Sequence, residues 1–167
     1  EQFTIDDGYI SNKKWLQYSH LYAPRKLRES MFGVDQTGQI LYGQRDLKKE
    51  SGIEVPSTNH SPVIGWAYDG NPIYGPYGYI TKEGGTIAQM RSGYSISIKS
   101  GRPPESIFPE GFFVEDYSYL EVRDETILDE NNGRFCVTPE YPQGTYAYFA
   151  TVDNSISASS GAFNQYR

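Results

Sequence analysis

The stretch Asn59-His60-Ser61-Pro62-Val63-Ile64-Gly65-Trp66-Ala67-Tyr68-Asp69-Gly70-Asn71-Pro72-Ile73-Tyr74-Gly75-Pro76-Tyr77-Gly78-Tyr79 decides how the rest of the chain is read. Residues 62–68 are mostly branched apolar or aromatic, the composition of a strand. Asp69-Gly70-Asn71-Pro72 is a strong turn: Asp and Gly accept turn dihedrals, and Pro72 presets the next φ. Ile73-Tyr74 resumes extended chain before Gly75-Pro76 and Gly78 force another bend. Glycines set between aromatics let rings lie on bare backbone. The expected result is a rigid, tyrosine-lined knot.

Composition fits a β-rich reading. The 167 residues include 17 Gly, 10 Pro and 15 Tyr, with Leu and Ala scarce, which argues against a helical bundle. A net charge of −6 argues against a nucleic-acid binder that works by neutralising phosphates. No apolar run is long enough for a membrane-spanning helix, so no membrane insertion is expected. The aromatic and branched content is too high for a chain without a core. The single cysteine, Cys136, lies between Phe135 and Val137 and reads as a small buried hydrophobe in a strand.

Outward from the deciding stretch, Arg25–Phe32 after Pro24 is the best helix candidate, its basic residues read as a solvated face. Residues 33–45 suggest a hairpin, and 46–61 a polar surface loop. Residues 94–99 alternate with period two, as a half-buried strand does. Residues 134–138 and 145–152 form two further strands joined by a proline-rich turn. The fold class expected is mainly β: a compact sandwich- or barrel-like domain with Gly/Pro/Tyr-rich turns and at most one or two short helices. Residues 1–58 read as the N-terminal part of that domain, 59–152 as its core and 153–167 as a linker-like tail. The chain opens on Glu1 rather than Met, which reads as a piece of a longer polypeptide.

His60–Tyr79 resembles the core motif of the YHYH-domain family, with His-Ser-Pro, Ile-Gly-Trp-Ala and Asp-Gly-x-Pro-Ile-Tyr-Gly-Pro-Tyr in order. Leu128-Asp129-Glu130-Asn131-Asn132-Gly133-Arg134 is similar to a second block, and Thr138–Pro142 with Gly144-Thr145-Tyr146 to the last. The resemblance marks His60, Pro62, Gly65, Trp66, Tyr68, Asp69, Gly70, Pro72, Tyr74, Gly75, Asp129, Asn132, Gly133, Arg134, Tyr146 and Tyr148 as motif residues. One departure stands out. Where the family has Tyr-His-Tyr-His, this chain has Tyr146-Ala147-Tyr148-Phe149, so a histidine metal site on that strand face is not expected. This variant looks most similar to copies of the domain in large structural proteins of tailed phages that infect cyanobacteria, which implies a virion protein.

The candidate chemistry is thin. His60-Ser61 with Asp69 invites a hydrolase reading, but a triad also needs a strained nucleophile turn and an oxyanion hole. His60 is expected to hydrogen-bond turn backbone instead. Asp69, Asp129 and Asn131 are weak candidates for calcium ligands: the Asp-x-Asn-x-Gly spacing at 129–133 is only a fragment of a calcium loop, without its late glutamate. No metal and no cofactor are expected. Glu115-Asp116, Glu121 and Asp124-Glu125 read as a solvated acidic face. Trp66, Tyr77 and Tyr79 are the candidate sugar contacts. The function expected is a non-enzymatic structural or adhesive module of a larger virion protein. Its partners would be other virion proteins or copies of itself, and a host-surface glycan would be a further candidate. A carbohydrate-binding surface module is the alternative, ahead of a hydrolase using His60.

Overall fold

In the computed structural model, residues 8–11, 17–20, 27–28 and 57–152 are described. Strands β1 (Gly8–Ser11) and β2 (Gln17–His20) pair antiparallel. The deciding stretch then folds back at its Asp-Gly turn, so that β3 (Val63–Trp66) and β4 (Pro72–Tyr74) pair antiparallel with a bulge between Val63 and Gly65. The Gly75-Pro76 bend leads into β5 (Tyr77–Thr81), which pairs antiparallel with β6 (Gly84–Gln89). Strand β7 (Tyr94–Ile96) is joined to β8 (Tyr117–Tyr119) by a long loop ending in a short 3₁₀ turn at Val114–Asp116. The last two strands are β9 (Gly133–Cys136) and β10 (Thr145–Phe149).

The fold is mainly β. Its largest sheet is four-stranded, in the order β3-β4-β10-β9, and the other described strands form two-stranded pairs. Strand β10 lies parallel to β4 and antiparallel to β9, so the C-terminal strand is inserted between the deciding hairpin and its own predecessor. No barrel closes among the described strands.

Alternation along β10 sets the two faces. Ala147 and Phe149 are buried, while Tyr146 and Tyr148 on the opposite face are half-buried. The inward face joins Tyr74, Met90, Leu128 and Cys136 in one core cluster. Cys136 is a buried free thiol, and burial raises its pKa. The Phe149 ring lies on Gly78, where a Cβ would sit 2.8 Å from a ring carbon. Aromatic rings thus do rest on glycine backbone.

Two expectations need correction. The run 94–99 is strand only to Ile96: one further bond, Ser97 N–H to the Asp116 carbonyl, is made before the opposite chain becomes the 3₁₀ turn at Val114–Asp116. Arg28 is helical as expected, yet it is 2 % exposed, with its stem against Gly75. An arginine stem can cover apolar surface, so a basic helix residue is not always on a solvated face. The rest of the expected helix, the 33–45 hairpin, most of the 46–61 loop and the 153–167 tail lie outside the described residues.

Candidate functional site

Two loops with one hydrogen-bond plan flank the outward face of β10. In the first, Gly70 N–H bonds the Ala67 carbonyl (3.0 Å) and Ala67 N–H bonds the Asn71 carbonyl (2.9 Å). In the second, Asn132 N–H bonds the Asp129 carbonyl (2.9 Å) and Asp129 N–H bonds the Gly133 carbonyl (3.0 Å). Both need a left-handed residue at the fourth position, supplied by Gly70 (φ 83°) and Asn132 (φ 57°). Each loop carries an aspartate that braces it. Asp69 Oδ1 accepts Asn71 N–H (3.0 Å), and Asp129 Oδ1 accepts Asn131 N–H (2.9 Å) and Gly133 N–H (3.0 Å).

The second oxygen of each aspartate faces a tyrosine of β10. Tyr148 donates to Asp69 Oδ2 (2.6 Å) and Tyr146 to Asp129 Oδ2 (2.7 Å). The two rings meet edge to face at 5.1 Å, and Tyr146 lies across Gly133, where a Cβ would come within 2.5 Å of its hydroxyl. The Tyr148 bond holds the Asp69 carboxyl below its usual range, and the phenol of Tyr148 rises in answer. Burial, then Asp129, pushes Tyr146 up as well. The outward tyrosines therefore clasp both motif loops to the last strand.

Behind the sheet, His60 is 4 % exposed and boxed by the rings of Tyr74 (4.9 Å), Tyr79 (5.1 Å) and Phe149 (6.0 Å). Its Nδ1 lies 2.8 Å from the Ser61 carbonyl, so Nδ1 carries the proton. Its Nε2 has no hydrogen-bond partner among the described residues. Burial, helped by the nearby Arg134 charge, lowers its pKa to about 4, so the ring is neutral at pH 7. Arg134 is also buried: it donates to the carbonyls of Tyr79, Ile80 and Glu125, with its guanidinium 5.9 Å from the Phe149 ring centre. The Tyr74 hydroxyl lies 2.8 Å from both Thr138 Oγ1 and Glu140 Oε2, tying β4 to the turn after β9.

The family model for YHYH protein matches residues 18–160. This chain belongs to the YHYH family. No curated protein and no solved structure matches it. In this YHYH domain the two positions that carry histidine in the family name are Ala147 and Phe149, both in the core.

The other motif residues of the YHYH chain divide between interior and surface. Pro62, Pro72, Gly75 and Gly133 are buried, and Gly65 lies opposite Ile73. Trp66 is 60 % exposed and Tyr68 is fully exposed at the tip of the first loop. Tyr77 is 1 % exposed and Tyr79 packs on His60, so the sugar contact expected of Tyr77 has no accessible ring face. The Ser61 hydroxyl accepts Tyr77 N–H (3.0 Å), while Asp69 lies in the exposed loop with Tyr148, so the Ser61 and Asp69 groups of the hydrolase reading are engaged elsewhere. Among the described residues no three His, Cys, Asp or Glu side chains converge as a metal group; Asp69 and Asp129 each serve a loop and a tyrosine, and Asn131 is exposed.

Sequence reasoning missed one pair. Asp116, read as part of a solvated acidic face, is 3 % exposed and pairs with Arg102 through two bonds of 2.7 and 3.0 Å. It also accepts Gly111 N–H and Phe113 N–H, while Arg102 donates to the carbonyls of Pro103, Phe108 and Pro109. Asp124 likewise meets Arg91 at 2.6 Å, but at the surface. Arg102 and Asp116 lie 14 positions apart, and no short spacing in the sequence links them.

Proposed function

We propose that this YHYH domain is a non-enzymatic structural or adhesive module of a larger virion protein in a tailed phage infecting cyanobacteria, placed in the tail, baseplate, fibre or capsid surface. The observation that carries the non-enzymatic part is the use of the motif's polar groups. His60 and Arg134 are buried, Ser61 brackets β5, and Asp69 and Asp129 brace loops. A motif used in this way specifies a fold, and what it leaves outward is an aromatic surface for contact. The phage part rests on the similarity of the Trp66–Pro72 and Tyr146–Thr151 variant to phage copies of the domain. Partners on this reading are other virion proteins or further copies of the same chain.

Mass spectrometry of purified particles tests it: peptides of this domain are expected within one long polypeptide of the virion. Recovery of the domain only as a free chain outside any particle would overturn the reading. A second reading, a carbohydrate-binding surface, is favoured by the exposure of Trp66 beside Tyr68. Loss of glycan retention on Trp66→Ala, with unchanged folding, would support it.

A further inference from the structure

The β7–β8 loop returns against the Asp129–Gly133 loop and leaves an open cleft of about 420 Å³ between them. Its walls are Tyr94, Phe112, Phe113, Val114 and Tyr117, and no charged residue lines it. Phe112 is 63 % and Val114 85 % exposed, a costly presentation of apolar surface in this position. The loop that presents them is braced from behind, because Asp116 accepts the N–H groups of Gly111 and Phe113 while paired to Arg102.

The polar groups of the cleft are mostly engaged. Ser92 Oγ accepts Tyr94 N–H (3.2 Å) and donates to Asn132 Oδ1 (2.8 Å). The Tyr94 hydroxyl donates to the Glu130 carbonyl and that of Tyr117 to the Gly111 carbonyl. The amide nitrogen of Asn132 differs: it has no hydrogen-bond partner among the described residues. It is nevertheless fixed in place. Asn132 has a left-handed backbone, donates to Asp129, accepts Phe149 N–H at its carbonyl and Ser92 at Oδ1. The cleft therefore offers a preorganised donor beside uncharged aromatic walls, the make-up of a small-ligand site.

We propose that this cleft binds an uncharged N-acetylated sugar. The acetamido carbonyl accepts from Asn132 Nδ2, its methyl meets the apolar wall, and the C–H face of the ring lies on Phe112. The volume suits one substituted pyranose. An acidic sugar would find no basic residue in the lining and a chain of net charge −6. A plain glucan brings hydroxyl oxygens to the Asn132 donor but no methyl to the apolar wall. The proposal rests on the carbohydrate reading in its broad form but places the ligand away from Trp66.

The test titrates the 167-residue chain with N,N′,N″-triacetylchitotriose and with cellotriose by calorimetry. Four variants are compared. Asn132→Asp keeps the Ser92 bond and replaces the donor with an acceptor; Asn132→Gly keeps the left-handed backbone and removes the amide. Phe112→Ser removes an exposed ring, and Trp66→Ala removes the rival platform. The acetylated sugar is expected to bind and cellotriose not to. Both Asn132 variants and Phe112→Ser should each weaken binding about tenfold or more, while each variant still melts in one cooperative transition. Trp66→Ala should bind as the parent does. No chitotriose binding up to about 10 mM, or equal binding of cellotriose, overturns the cleft. Sugar binding that falls with Trp66→Ala but survives Asn132→Asp also overturns it, while leaving the carbohydrate reading standing at Trp66.

Discussion

Tyr148 and Asp69, 79 positions apart, are joined by a 2.6 Å hydrogen bond from the phenol to Oδ2. The bond connects the last strand to the Asp-Gly turn of the first motif block, and Tyr146 with Asp129 repeats it for the second block. The YHYH signature thus reads mechanically. In this chain its tyrosines close the two loops, while Ala147 and Phe149 alternate with them into the core.

Removing either end of the bond should release the same loop. Tyr148→Phe and Asp69→Asn are each expected to speed amide exchange at Gly70 and Asn71, and the double variant to be little worse than either single one. Acid should act like Asp69→Asn. The Asp69 pKa is lowered in the folded chain, so its contribution is present above the unfolded carboxylate pKa near 4 and fades as pH falls through the lower folded value. Amide exchange across that range checks it, and additive effects in the double variant would refute the shared-bond account.

His60 predicts a second, separate pH dependence. Its folded pKa is about 4 against about 6.5 for a free imidazole, so the unfolded chain binds the extra proton first. The stabilisation is complete above pH 6.5 and is lost as pH falls towards 4, by about 3 kcal/mol in all. Denaturant midpoints at pH 7, 5.5 and 4.5 should show that slope. His60→Gln should flatten it, and a slope that survives the substitution would place the titration elsewhere.

How far the sequence carries can be judged at particular residues. The 63–74 hairpin was legible because its turn chemistry is local: Asp69, Gly70 and Pro72 restrict the backbone whatever surrounds them. The packing of Ala147 and Phe149 on one face was legible from strand alternation alone. Tyr77 was not, because an aromatic between glycines is as consistent with a buried ring as with an exposed one. Arg28 and Asp116 were misread for a shared reason. A charge is buried only when distant groups accept its hydrogen bonds or its stem, and Gly75 and Arg102 lie far off in sequence. The Asn132 donor is not legible in the sequence, since its freedom depends on Ser92, 40 positions away, bonding Oδ1 and leaving Nδ2.

The Arg102–Asp116 pair should be the organiser of the β7–β8 loop. Asp116 accepts four hydrogen bonds there, two from Arg102 and two from backbone. Asp116→Asn keeps the shape but removes the charge, and Arg102→Lys loses the fork that reaches both oxygens. Both variants are expected to lower the melting temperature by several degrees and to raise exchange over residues 97–117, while the four-stranded sheet keeps its protection. Sheet amides that lose protection equally would mean the loop is not a separate unit.

Restoring the family residue at 149 should harm this chain. Phe149 is 3 % exposed, stacks on Tyr74 at 5.7 Å, covers Gly78 and lies beneath the Arg134 guanidinium. An imidazole there loses apolar burial and brings ring nitrogens beside a buried cation and the already unpartnered Nε2 of His60. Phe149→His is expected to cost about 2–4 kcal/mol at pH 7, and more below pH 6.5, where the unfolded chain takes up the extra proton and the buried ring resists it. Phe149→Leu keeps the site apolar and should cost about 1–2 kcal/mol with no added pH dependence. Chemical denaturation of both variants at pH 7 and pH 6 separates the two effects. A histidine variant as stable as the parent at both pH values would mean that the 147/149 face tolerates polar groups, and that Phe149 is not the reason this chain departs from its family name.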